Sequence, residues 1–333
     1  MQLLSYLSSV LKTCATILWR LWLRFPACIR RAVYGHIMDM CFCISFWDLE
    51  GGIYDNLPFG LRLTYCSADP PETEANNIKF VRKNTTIPGI PDVLDFVPDD
   101  PDTGLEMGII LTKEPKLEGV ITLHDWLRAR TMYPPEYYHY VSIIFGPPHL
   151  RGKRSCAELS DLALSFDKPF LDLSDSPPLI EDLRRALTEL RSIIPPSLYQ
   201  VSGAYGSPLL YERYGARRVL QPSSNIRSFH ETILSEVAPK GHYFDAPKRI
   251  MKQHRLCFSH SNLTRENILV TGDGRLATII NWKAAGWFPD YWDYALVDKP
   301  VSLAEARVLN QFWTAVGVFG EGRYDENPEH YWD

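Results

Sequence analysis

The sequence lacks the features that mark several common classes of protein. None of its seven cysteines forms a CxxC pair, so it predicts neither a zinc site nor a disulfide framework. Basic residues are not in excess: the formal charge is −5, which argues against a general role in nucleic-acid binding. No apolar run reaches the roughly 20 residues of a membrane-spanning helix. What remains is a chain of 333 residues, 45% apolar, expected to be globular and cytoplasmic, with its thiols reduced.

The first 25 residues are rich in leucine and tryptophan but are interrupted by Lys12 and Arg20. Their apolar positions recur mostly at steps of three and four, as on an amphipathic helix; they are Leu3, Leu4, Leu7, Leu11, Cys14, Leu18 and Leu21. The segment has no signal-peptide cleavage pattern. Two interpretations stay open. Either the helix packs on the protein body, which the small number of cations favours, or residues 1–23 contact a membrane surface.

The rest of the chain divides into a strand-rich part and a helix-rich part. After a helical extension over residues 1–40, strand patterns at 41–47, 57–66, 92–97 and 106–112 accompany a predicted helix at 71–84. Beyond residue 122 the pattern predicts helices at 124–132, 136–145, 181–194, 228–236, 246–254 and 303–318, a long connection at 146–178 and a hairpin at 268–280. We therefore expect an α+β fold with a small lobe at 41–114 and a large lobe at 115–333.

The most informative segment spans residues 257–294. The run from His260 to Leu263 is followed, after three positions, by Asn267, an apolar strand, a Gly-Asp-Gly turn and Asn281-Trp282. This is the spacing of a kinase catalytic loop followed by a metal-binding segment. Both positions at which such a site needs a carboxylate carry an amide, Asn262 and Asn281.

Together with the runs at 57–65, 73–76, 84–88 and 285–294, these motifs resemble the fungal branch of the aminoglycoside phosphotransferase-like family. The resemblance covers roughly residues 25–318. It implies a protein-kinase-like bilobal fold, a small β-rich lobe over a mainly helical lobe, with ATP and Mg2+ in the cleft. It also implies a small-molecule acceptor. The family is named after aminoglycosides, but these need not be the acceptor here.

In the large lobe, the resemblance places Asn262 at the catalytic base and Asn267 and Asn281 at the metal ligands. An amide oxygen can accept a hydrogen bond and orient an alcohol, but it cannot remove a proton. It also brings no charge to Mg2+, and Lys283 replaces a further acidic residue. Two alternatives stay open: the site binds nucleotide poorly, or Lys283 binds the ATP phosphates in place of the metal. We expect His260 to tie the loop in place more than to carry protons.

In the small lobe, Thr64 stands where the family has the lysine that bridges ATP phosphates to a helix glutamate, which Glu74 matches. Arg62 lies two residues back on the same strand face and is the candidate substitute. The changes at three separate positions favour a catalytically degenerate pseudokinase with a binding or accessory role. The alternative is an active ATP-dependent phosphotransferase that acts on a small-molecule hydroxyl or amine, for example in fungal metabolite biosynthesis. The enzyme status and the protein partner both stay open.

Overall fold

The computed structural model describes residues 16–44, 55–57, 60–66, 72–98, 108–117, 119–132, 170–173, 177–213, 216–233, 254–293 and 303–318. The predicted helix at 136–145, nearly all of the one at 246–254 and most of the connection at 146–178 lie outside these residues. The described residues form an α+β fold of helices and small antiparallel sheets.

The first sheet has four strands in the order β1-β2-β4-β3. They are β1 (Asp55–Leu57), β2 (Leu61–Cys66), β3 (Asp92–Val97) and β4 (Gly108–Lys113). Residues opposite one another on paired strands share a face of the sheet. Leu63 therefore shares a face with Leu111, while Thr64 shares the other face with Ile110.

A helix covers each face of this sheet. Helix α1 (Ala27–Ile44) packs Tyr34 and Met38 with Leu63, and helix α2 (Glu72–Asn84) packs Ala75 with Ile110. The prediction of a strand at 41–47 is wrong for its described part, because residues 41–44 continue α1. The Cys-Phe-Cys-Ile run has strand-forming residues, but such a preference is expressed only where a partner strand is available.

Helix α1 is fixed to the sheet by a polar network around the buried Asp95 of β3. Arg30 forms an ion pair with Asp95, and the Tyr34 hydroxyl donates to Asp95 Oδ2 at 2.8 Å. Trp22 Nε1 in turn donates to the Tyr34 oxygen at 2.7 Å. Burial raises the pKa of Tyr34 well above its usual range. The phenol therefore stays protonated and serves as the hydrogen-bond donor.

Four further helices and several short strands follow in the chain. The helices are α3 (Leu123–Arg130), α4 (Pro177–Ser192), α5 (Ile226–Thr232) and α6 (Leu303–Val316). Leu183 and Leu187 of α4 pack in one buried cluster with Trp126 of α3 and Phe312 of α6. The apolar spacing of 181–194 and 303–318 thus predicted the right helices. Helix α3 ends at Arg130 because the next two residues pair as β6 (Thr131–Met132) with β7 (Phe170–Leu171).

Three more sheets complete this part of the molecule. β12 (Ile268–Val270) and β13 (Leu276–Ile279) form the predicted hairpin, with β5 (Ile121–Thr122) beside β12. β14 (Gly286–Pro289) pairs on one side with β11 (Leu256–Ser259) and on the other with β8 (Ser202–Gly203). β9 (Leu209–Arg213) pairs with β10 (Ala216–Leu220). The sequence did not predict β8, β9, β10, β11 or β14, which are short, and β14 contains the strand breakers Gly and Pro.

Candidate functional site

The candidate catalytic loop begins where β11 ends and is held from behind by Asp293. The Asp293 carboxylate accepts from the backbone N–H of Ser261 at 2.8 Å and from that of His260 at 3.2 Å. Ser261 has φ 63°, a left-handed conformation uncommon for serine, and its Oγ accepts from Trp292 Nε1 at 2.9 Å. Burial raises the pKa of Asp293 to about 6, opposed by the N–H groups that favour the carboxylate.

His260 connects the loop to the segment after β13, for which the sequence predicted a metal ligand at Asn281. Its Nε2 lies 2.8 Å from the carbonyl oxygen of Ile280, and its Nδ1 accepts from the backbone N–H of Asn262 at 3.3 Å. A carbonyl only accepts, so the proton is on Nε2. Burial lowers the pKa of this imidazole to about 4, and the ring packs against Trp282 at 4.5 Å between centroids. His260 is therefore a neutral cross-link at neutral pH.

The three asparagines that the sequence singled out lie together. Asn267 is buried; its Nδ2 donates to the backbone oxygen of Asn262 at 2.8 Å, and its Oδ1 accepts from Asn281 Nδ2 at 3.4 Å. Because the Asn262 carbonyl can only accept, Asn267 must present its NH2 group there and its oxygen to Asn281. Asn281 must then donate. This amide chain fixes the orientation of both side chains.

The backbone supports the same arrangement. The Ile280 N–H donates to the Asn267 carbonyl at 2.9 Å, so the two segments are joined just before Asn281. Asn281 itself has φ 67° and ψ 56°, a left-handed conformation that asparagine tolerates better than most residues. A short 3-10 helix follows, with Trp282 buried and Lys283 partly exposed.

Asn77 of α2 joins the first sheet's helix to this segment. Its Nδ2 donates to the carbonyl oxygens of Trp282 at 2.8 Å and Ala285 at 3.0 Å. The sequence analysis missed both Asn77 and the role of Asp293. The available signals were a polar residue among the inward positions of α2 and a lone acid within the aromatic run at 291–294.

The candidates Arg62, Thr64 and Glu74 form a second group. Arg62 and Thr64 lie on the same face of β2, since their strand partners are Thr112 and Ile110, and this is the face that α2 covers through Ala75. Glu74 precedes Ala75 on that helix. All three candidates are partly buried. The structure thus places Arg62 and Thr64 on the side of the sheet that α2 covers, and Asn77 of the same helix bonds the segment that follows Asn281.

Comparisons with known proteins give a distant structural likeness. No family model matches the chain, and no curated protein matches it. Among solved structures, aminoglycoside phosphotransferase APH(3'')-Id from Streptomyces rimosus, in complex with ADP and streptomycin, is 14% identical with a TM-score of 0.42, over 89% of this chain and 95% of that one. A choline/ethanolamine kinase family protein from Mesorhizobium loti is 15% identical with a TM-score of 0.37, over 87% and 77%. Values this low assign no activity, so function is argued from the residues.

The donor set at the amide chain does not fit Mg2+. That ion prefers charged oxygen ligands in octahedral geometry. The Asn267 oxygen faces the NH2 group of Asn281, and a metal bound between them would have to displace that hydrogen bond. Asn281 offers one neutral oxygen, and the cation Lys283 is two residues away in sequence. Two acids lie at this loop: Asp293 is turned to backbone N–H groups, and the Glu266 carboxylate lies 3.9 Å from His124 Nδ1.

Proposed function

We propose that this chain is a catalytically degenerate kinase-like protein, related to the aminoglycoside phosphotransferase-like family, that works by binding a ligand or partner. In this proposal it keeps the bilobal arrangement divided near residue 114, and it works in a reducing compartment such as the cytoplasm. The free thiols of Cys28 and Cys257 are in keeping with that location.

The observation that supports the proposal is the amide chain. In a working phosphotransferase, metal ions neutralise phosphate charge and a carboxylate accepts the hydroxyl proton. Here the Asn281 NH2 group donates at 3.4 Å to the Asn267 oxygen that a cation would use, and the Asn267 NH2 group donates to the Asn262 backbone oxygen. The two metal positions hold each other, and Asn262 offers no basic group. The site thus consists of neutral groups that bond one another, which supports the absence of a metal-dependent reaction.

A thermal-shift experiment tests the proposal directly. The full chain is melted with ATP alone, with ATP and Mg2+, and with EDTA, and incubated with ATP to detect free phosphate. We expect no metal-dependent rise in melting temperature and no phosphate release. A rise that requires Mg2+, or any turnover that EDTA abolishes, would contradict the proposal and favour the active phosphotransferase.

A double variant, Asn262→Asp with Asn281→Asp, sharpens the result. The carboxylate at 281 would face the Asn267 oxygen, so without metal we expect a loss of about 1–2 kcal/mol in unfolding free energy. Mg2+ should recover that loss in the variant and leave the wild type unchanged. Asn84→Asp with Asn225→Asp is the control, since it adds the same charge at exposed positions. An equal response to Mg2+ in variant and control would contradict the assigned metal positions.

A further inference from the structure

The segment over residues 16–40 is apolar on two faces. On its inner face, Trp22, Tyr34 and Met38 pack with the first sheet. On its outer face a second apolar set is exposed, from Leu18 at 66% to Met40 at 50%. A surface helix normally turns polar residues outward once its apolar face is buried. The outer set therefore needs an explanation that packing within the described residues does not supply.

The outer residues follow one another at helical spacing. They are Leu18, Leu21, Phe25, Ile29, Val33 and Met40, which we call the outer stripe. Most steps between these residues are three or four positions. Leu18 and Leu21 therefore lie on one side of the helical residues 16–22, and Ile29, Val33 and Met40 lie on one side of α1. A contiguous exposed apolar surface of this kind marks an interaction site more often than scattered single residues do.

Charge indicates what the outer stripe meets. Arg20 and Arg24 are exposed beside it. The first 38 residues of the sequence contain five Lys and Arg and no Asp or Glu, whereas the whole chain has 35 basic and 40 acidic residues. The rest of the chain therefore carries −10. An apolar stripe of Leu, Ile and Phe flanked by arginines is the pattern of a helix that lies in a membrane interface.

The segment is also held rigidly enough to present this surface. The ion pair of Arg30 with Asp95 and the bond from Tyr34 fix α1 to β3. Among the described residues, no helix is long and apolar enough to cross a membrane. We propose that the outer stripe, with Arg20 and Arg24, docks this protein on an anionic lipid surface and lies in the plane of the interface.

Vesicle co-sedimentation of the full chain tests the proposal. Vesicles of phosphatidylcholine alone are compared with vesicles that also contain phosphatidylserine, at low and high salt. We expect binding to the anionic vesicles that weakens with salt. The variant Arg20→Gln with Arg24→Gln should bind about 30-fold more weakly, from the attraction lost per arginine at an anionic surface.

A second variant, Leu18→Ser with Leu21→Ser, tests the apolar part and should lose most of the binding that remains at high salt. The control is Ile194→Ser with Leu198→Ser, which removes two exposed apolar side chains, 84% and 69% exposed, away from the stripe. It should bind as the wild type does. Circular dichroism confirms that each variant is folded.

Three outcomes would overturn the proposal. The wild type binds neither vesicle; it binds both vesicles equally with no salt dependence; or light scattering shows a dimer that the Leu18 variant abolishes, which would assign the stripe to self-association. These outcomes are independent of ATP and Mg2+, so they do not bear on the proposed function.

Discussion

At the scale of single residues, two buried titratable groups at the loop respond to pH in opposite directions. The pKa of His260 is lowered to about 4, so the stability that its neutral form contributes is lost as pH falls from about 6.5 to about 4. The pKa of Asp293 is raised to about 6. Its contribution to stability is therefore full at low pH and is lost as pH rises to about 6. The two effects partly cancel in the wild type.

The variant Asp293→Asn separates them. It removes the titration of Asp293 and keeps His260, so the histidine contribution cancels in the difference between the two proteins. We expect the stability of the wild type relative to the variant to fall as pH rises from about 4 to about 6, then to level off. Urea unfolding of both proteins across this range measures it. A difference that is flat across the range would show that Asp293 titrates normally.

At the scale of secondary-structure elements, a buried carboxylate joins α4 to the hairpin that carries Asn267 and Asn281 on its ends. Asp182 accepts from Arg275 Nε at 2.6 Å and from its Nη2 at 2.8 Å, and from the Leu276 N–H at 3.3 Å. The Arg275 guanidinium lowers the pKa of Asp182. The pair thus contributes stability at neutral pH that is lost as acid protonates the carboxylate.

We expect Asp182→Asn to lower the unfolding free energy by about 1.5–3 kcal/mol at neutral pH, because it loses a bidentate charge-assisted contact. The neighbouring variant Glu181→Gln is the control. It breaks an exposed pair with Arg184 and should change stability by about 0.5 kcal/mol or less. Denaturant unfolding at neutral pH measures both. Equal effects would contradict the structural role of Asp182.

At the scale of the whole molecule, Asn77 links helix α2, which packs on the first sheet, to the segment after Asn281 by hydrogen bonds. One amide group bonds carbonyls of Trp282 and Ala285, residues more than 200 positions away in the chain. Loss of the link would remove the Asn77 donor from two buried carbonyl oxygens, and only that of Trp282 has the Ala285 N–H as a second recorded donor in the segment. Removing such a donor is costly in a protein interior. The position of α2 and the shape of the candidate site are therefore coupled.

The variant Asn77→Ala should lower stability by about 1–3 kcal/mol. It should also speed amide hydrogen exchange at Ile280 and Ala285, the two N–H groups that hold the segment. Asn84→Ala, on the same helix, removes only an exposed bond to Phe80 within the helix and serves as the control. Unchanged exchange at Ile280 in the Asn77 variant would contradict the coupling.

The sequence by itself determined the chemistry of this site. Which positions hold amides is a property of residue identity, so the amides at Asn262 and Asn281 needed no coordinates. The long helices also followed from local pattern, because a repeat of three and four residues constrains one segment at a time. The short strands β8, β11 and β14 did not, since their pairing depends on distant partners.

Tertiary structure decided how those residues are used. Only the fold brings Asn281 to Asn267, Asp293 behind Ser261 and Asn77 to Trp282, because each pair is far apart in the chain. It also decided which apolar side chains of the N-terminal segment pack inward. Leu18 and Leu21, predicted on the apolar face, are exposed, while Trp19 and Trp22 pack inward. Periodicity states which residues share a face of a helix, but only contact with the sheet decides which face is buried.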